Sequence, residues 1–126
     1  MPRFGDLEAA IMDAIWRADA PMRVRDVLDR IERDTEPAYT TVQTVMDVLF
    51  RKGWLTRVKE GRVNMYAAAS SRQDYVSGLM DEALEAADDR TAALATFFER
   101  MDPQENAELR RLLGAARSAT PRKPAS

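Results

Sequence analysis

Neither cysteine nor histidine occurs among the 126 residues of this chain. Their absence removes disulfide staples, thiol nucleophiles, imidazole bases and thiolate or imidazole zinc sites. No cofactor and no metal is expected. No nucleophile–base pair stands out either, so the chain reads as a binder and not as an enzyme. There is no run of about 18 apolar residues to span a membrane. The first residues, Met1 to Asp6, pass straight into a charged helical pattern with no signal-peptide core. A soluble, cytoplasmic protein without membrane insertion is the expectation.

A strong positive charge is also missing: 19 basic side chains face 21 acidic ones, for a net charge of −2. A general polyanion binder would be far more basic. The distribution says more than the sum. Residues 39–66 hold five basic side chains (Arg51, Lys52, Arg57, Lys59 and Arg62) against Asp47 and Glu60, whereas both flanking segments are net acidic. A basic patch confined to one segment suits a selective DNA binder.

The apolar spacing explains what lies on either side of that patch. Leu7, Ile11, Ala14 and Ile15 repeat at helical intervals and predict a helix from Asp6 to Ala18, stopped by Asp19-Ala20-Pro21. Val24, Val27, Leu28 and Ile31 predict a second helix ending near Asp34, with no good cap at Met22-Arg23. Thr40-Thr41-Val42-Gln43 fits a capping box opening a third helix, whose buried stripe is Val42, Val45, Met46 and Leu49 and whose stop is Gly53. After Gly53 the period changes. Leu55–Lys59 and Val63–Ala67 read as a β-hairpin turning at Gly61, with Trp54 and Tyr66 as its core aromatics. Three helices followed by a two-stranded ribbon make a winged helix-turn-helix, which we place at residues 1–70.

Residues 71–117 read as three further helices. Tyr75, Leu79, Met80, Leu84, Leu94, Phe97, Phe98, Leu109, Leu112 and Leu113 line their apolar faces, and Asp102-Pro103 opens the last one. About 45 residues bury too little surface to be stable alone. A second copy of the chain is the simplest cover, making this a dimerisation region. Residues 118–126 read as a disordered tail. The acids Asp81, Glu82, Glu85, Asp88 and Asp89 fall on the side away from the leucines and read as a solvated face. The fold class expected is therefore mainly α, a winged helix-turn-helix followed by a three-helix dimerisation region.

A recognition helix enters the major groove of DNA by its N-terminal part. On that basis Thr40, Thr41, Gln43, Thr44 and Val48 are candidate contacts to base edges or phosphate. Arg51 and Lys52 at the helix end, and Arg57 and Arg62 on the wing, are candidate phosphate contacts. Asp47, on the same face, either accepts a hydrogen bond from cytosine or repels wrong registers. Two such helices related by a dimer axis would sit about 34–36 Å apart, or a multiple of that, on a palindrome. A protein-interaction module and a ligand-sensing repressor are the alternatives.

Several stretches carry a family resemblance: Leu7 to Trp16, Val24-Arg25-Asp26-Val27-Leu28, Ala38 to Met46, Arg51-Lys52-Gly53-Trp54-Leu55, and Gly61-Arg62 with Tyr66. From about residue 4 to residue 113 the chain resembles the BlaI/MecI/CopY penicillinase-repressor family. The resemblance implies a dimer with N-terminal winged helices that represses at palindromic operator DNA. It also implies a membrane sensor-protease pathway that ends repression by cleavage in the dimerisation region, in an antibiotic-resistance response. Val48 stands where the family usually has Arg. Thr96-Phe97 stands at the positions of the family's Asn-Phe cleavage pair. The cysteines of the copper-responsive branch have no counterpart here.

Overall fold

The computed structural model of the chain describes residues 3–31 and 37–119. The elements run α1 (Asp6–Ala18), α2 (Val24–Arg30), α3 (Tyr39–Arg51), β1 (Leu55–Glu60), β2 (Val63–Ala68), α4 (Arg72–Leu84), α5 (Arg90–Arg100) and α6 (Pro103–Ala119). They fall into two compact units, Met1–Glu82 and Ala83–Ser126. The mainly helical architecture, with one antiparallel hairpin, is the one the periodicity predicts.

In the first unit, α1 ends where Asp19 takes a left-handed conformation (φ 51°), a conformation that a short polar side chain tolerates. The start of α2 is better satisfied than its sequence suggests. Asp26, at the third helical position, reaches back and accepts the Arg23 backbone N–H at 3.0 Å. The helix also stops earlier than expected. Ile31 turns extended (φ −74°, ψ 120°) and packs its side chain against the core, so α2 ends at Arg30 and not near Asp34.

Ile11, Met12 and Ile15 of α1, Val27 and Leu28 of α2, and Val42, Met46 and Leu49 of α3 close around Leu55 and Tyr66 of the hairpin in one apolar core. Met22 joins the sheet edge. Its N–H and C=O exchange two 2.8 Å hydrogen bonds with Tyr66, fastening the approach to α2 onto β2. The hairpin pairs Leu55 with Ala68 through to Glu60 with Val63, leaving the two-residue loop Gly61-Arg62. Gly61 has φ +63°, which a tight turn needs at that position and which glycine adopts without strain.

Tyr75 belongs to this unit. Its ring stacks on Phe4 (centroids 4.3 Å apart, 4° between planes) and meets Trp54 edge-on at 5.4 Å, and its hydroxyl accepts the Phe4 N–H at 3.0 Å. Arg72, one turn earlier, pairs with Asp13 at 2.6 Å and lies over the Trp16 ring. Tyr75, expected on a dimerisation face, is only 8% exposed and anchors the first turn of α4 to the winged unit.

The second unit is built differently. Asp89 caps α5 by accepting from the Ala92 N–H, and Asn106 donates to the Phe98 carbonyl at 3.3 Å. Pro103 is the first helical residue of α6, and the helix continues to Ala119, two residues into the expected tail. Residues 120–126 lie outside the described residues. None of the described side chains of residues 83–116 is buried.

Candidate nucleic-acid interface

The geometry of α3 follows from its two faces. Val42, Met46 and Leu49 are fully enclosed and fix the helix's rotation. Thr40, Thr41, Gln43, Thr44 and Arg51 are then exposed, with Asp47 and Val48 partly so. The helix end is closed by a Schellman arrangement: the Trp54 N–H donates to Leu49 C=O at 2.9 Å and the Gly53 N–H to Phe50 C=O at 3.0 Å, with Gly53 at φ +88°.

The capping box at Thr40 is not formed. The helix begins two residues earlier, at Tyr39, with Ala38 at the cap and no side-chain cap bond. The Ala38 carbonyl takes both the Thr41 and Val42 N–H groups at 3.1 Å. Thr40 is thus already inside the helix, where its hydroxyl cannot serve the third amide. Its carbonyl instead accepts the Thr44 hydroxyl at 2.9 Å. That bond occupies the Thr44 proton and leaves its oxygen lone pairs and methyl facing outward.

Asp47 is more constrained than its position on the wheel suggests. Its Oδ1 accepts from the Tyr66 hydroxyl at 3.0 Å and from Arg57 Nη1 at 3.2 Å. Arg57 also lies over the Phe50 ring, with its guanidinium carbon 4.1 Å from the centroid. Burial raises the Tyr66 phenol above its ordinary pKa, so at neutral pH it remains the donor. Arg57 therefore braces the wing against α3. Arg51, which donates to the Asp47 carbonyl at 3.5 Å, Lys52 at the helix end, Lys59 on β1 and Arg62 on the wing loop stay on the exposed surface.

The fold gathers further residues that linear charge counting passes over. Arg23, Arg25 and Tyr39 meet Gln43, Arg62 and Asn64 around a cleft of about 260 Å³. Arg23 is committed to Asp26, with bonds of 2.8 and 3.1 Å. This pair holds the Asp26 carboxyl at a pKa of about 2. Arg25 rests over the Tyr39 ring at 5.3 Å. The Met22–Tyr66 bridge, a contact far apart in sequence, helps bring these arginines to the wing. Among the described residues no helix is long and apolar enough to cross a membrane.

Comparison with known proteins adds the remaining observations. The penicillinase repressor family model matches residues 4–115. The chain is 40% identical over 116 residues to the transcriptional regulator BlaI of Mycobacterium tuberculosis, covering 90% of this chain and 84% of that one. It is 29% identical over 76 residues to the penicillinase repressor of Bacillus licheniformis, covering 60% and 59%. Among solved structures, it is similar to the solution structure of the DNA binding domain of the repressor BlaI. That likeness has a TM-score of 0.50 and 30% identity, over 59% of this chain and 89% of that one. These relatives are named as regulators and repressors, not as enzymes.

Proposed function

The chain belongs to the penicillinase repressor family as a transcriptional repressor of the BlaI type, and from that premise we propose that it works as a homodimer on palindromic operator DNA in the cytoplasm. The observation that carries the dimer is the second unit. Its helices leave Phe97 53% and Leu113 54% exposed, with Phe98 and Leu112 exposed beside them, and none of the unit's described side chains is buried. A protein that size does not keep such faces in water without a partner. A second copy supplies the same apolar surface at no cost in specificity.

In this reading α3 enters the major groove. Thr40, Thr41, Gln43, Thr44 and Val48 meet base edges and nearby phosphate, while Arg51, Lys52 and Arg62 hold the backbone and Arg57 holds the wing in place. Thr44 offers a methyl and an acceptor, and Val48 offers methyls, which suits thymine methyl groups.

Induction proceeds by cleavage in the dimerisation region, through a sensor-protease. The Thr96-Phe97 bond lies within α5, where the Thr96 hydroxyl donates to the Ala92 carbonyl at 3.0 Å. A protease must therefore open a turn of α5 before cutting, and cutting removes the aromatic pair from the apolar face.

Selection of bound duplexes from random DNA, followed by footprinting on the winner, tests the proposal. Two symmetric half-sites about 34–36 Å apart, or a multiple, are expected. A single unpaired site, or a monomer by sedimentation at binding concentrations, refutes it.

A further inference from the structure

Residues 1–38 carry more acid than base, and sequence pattern assigns none of their arginines to DNA. The fold changes their setting. The two 2.8 Å bonds between Met22 and Tyr66 hold the start of α2 against β2. Arg25 therefore shares a cleft with Arg62 of the wing loop, with Tyr39, Gln43 and Asn64 in the same walls. Among the described residues, no carboxylate lines it. The nearest acid on α2, Asp26, is neutralised by Arg23. Asp29 is exposed one turn further along α2.

The two arginines are presented differently. Arg25 is laid over the Tyr39 ring, which limits how its guanidinium plane can turn while its N–H edges remain able to donate. Arg62 stands on the exposed loop whose geometry Gly61 sets. Two guanidinium groups from separate elements, with two amide side chains in the same walls and no acid among the described lining residues, match a tetrahedral anion better than a base edge.

We propose that this cleft is a phosphodiester site. With α3 in one groove of the duplex and the wing over the next, the strand between the two grooves crosses the cleft, and Arg25 and Arg62 hold one of its phosphates from two sides. The inference rests on the reading of the chain as a DNA-binding repressor and adds Arg25 to its contact set. It also explains how an acidic segment can take part in binding a polyanion.

The test uses the full chain, a random-sequence duplex and the tightest duplex recovered from random DNA, titrated between about 50 and 200 mM salt. Arg25→Ala is expected to lower the slope of log K against log salt by about 0.9 per contacting protomer, on both duplexes alike. Arg25→Lys keeps the charge and restores most of that slope, which a merely structural role for Arg25 would not do. Arg17→Ala, an arginine paired with Asp13 away from the cleft, leaves the slope as it was. An unchanged slope in Arg25→Ala, or a loss confined to the selected duplex, overturns the assignment while the repressor reading stands. Failure of the wild-type chain to bind either duplex overturns the repressor reading and the cleft together.

Discussion

The carboxylate of Asp47 in α3 accepts the hydroxyl of Tyr66 in β2 at 3.0 Å, although the two residues are 19 apart in sequence. This bond ties the wing to α3 at a residue that cannot shift without disturbing the core, since Tyr66 is 1% exposed. Asp47→Ala leaves that hydroxyl without its acceptor and is expected to cost about 1–2 kcal/mol in urea unfolding. In a Tyr66→Phe background the same change should cost markedly less. A coupling energy below about 0.3 kcal/mol would show that the bond contributes nothing.

Tyr75 provides a second, independent prediction. Tyr75→Phe removes only the acceptor for the Phe4 N–H and should cost about 0.5–1.5 kcal/mol. Tyr75→Ala also opens the stack with Phe4 and the edge contact with Trp54, and should cost about 3–5 kcal/mol. Equal effects of the two substitutions in chemical unfolding would contradict the packing described for the first turn of α4.

Acid should weaken the winged unit by a specific route. The bonds from Arg23 hold the Asp26 carboxyl at about 2, below its ordinary value of 3.8, and Arg72, ahead of Arg17, lowers that of Asp13 in the same direction. In both cases the unfolded chain takes up the proton first. The stabilisation is complete above roughly pH 5 and is lost as pH falls through the range between the two values. Because these pairs are solvent-exposed, the effect is modest. Unfolding followed from pH 6 to pH 2 should show a shallower acid loss in Asp26→Asn than in the wild type.

Base reading and backbone holding separate by mutation. Arg62→Ala should weaken binding to all duplexes to a similar degree and reduce the salt slope, whereas Thr44→Ala should change affinity according to base identity by about 1–3 kcal/mol at one position of the site. Competition between the selected duplex and its single-base variants distinguishes the two. If Thr44→Ala lowered affinity for every variant equally, Thr44 would be a backbone contact and not a reader.

The second unit should be separable by charge insertion. Phe97→Glu together with Leu112→Glu places carboxylates on the exposed apolar faces and should convert a dimer to a monomer in sedimentation, leaving the near-ultraviolet signal of the Phe4, Trp16, Trp54 and Tyr75 cluster unchanged. Binding to a full palindrome should fall steeply while binding to a half-site persists. A dimer that survived both substitutions would place its interface elsewhere.

The linear pattern was sufficient for the order of elements, because amphipathic spacing and glycine positions act over a single turn or strand. The apolar positions of α1 and α3, the stop at Gly53 and the turn at Gly61 are all local decisions, and the exposed polar face of α3 follows from its buried one. The helix starts were less legible. Thr40 looked like a cap, but Tyr39 could already take helical geometry, and the Ala38 carbonyl satisfied the first amides without any side chain. What tertiary structure alone decided are the long-range polar contacts. The binding of Asp47 to Tyr66 and Arg57, the return of Tyr75 to Phe4, and the gathering of Arg25 with Arg62 each depend on Met22 pairing with β2 or on the core holding two distant segments at hydrogen-bonding distance. No local propensity encodes such a distance, since it exists only after the apolar faces have closed.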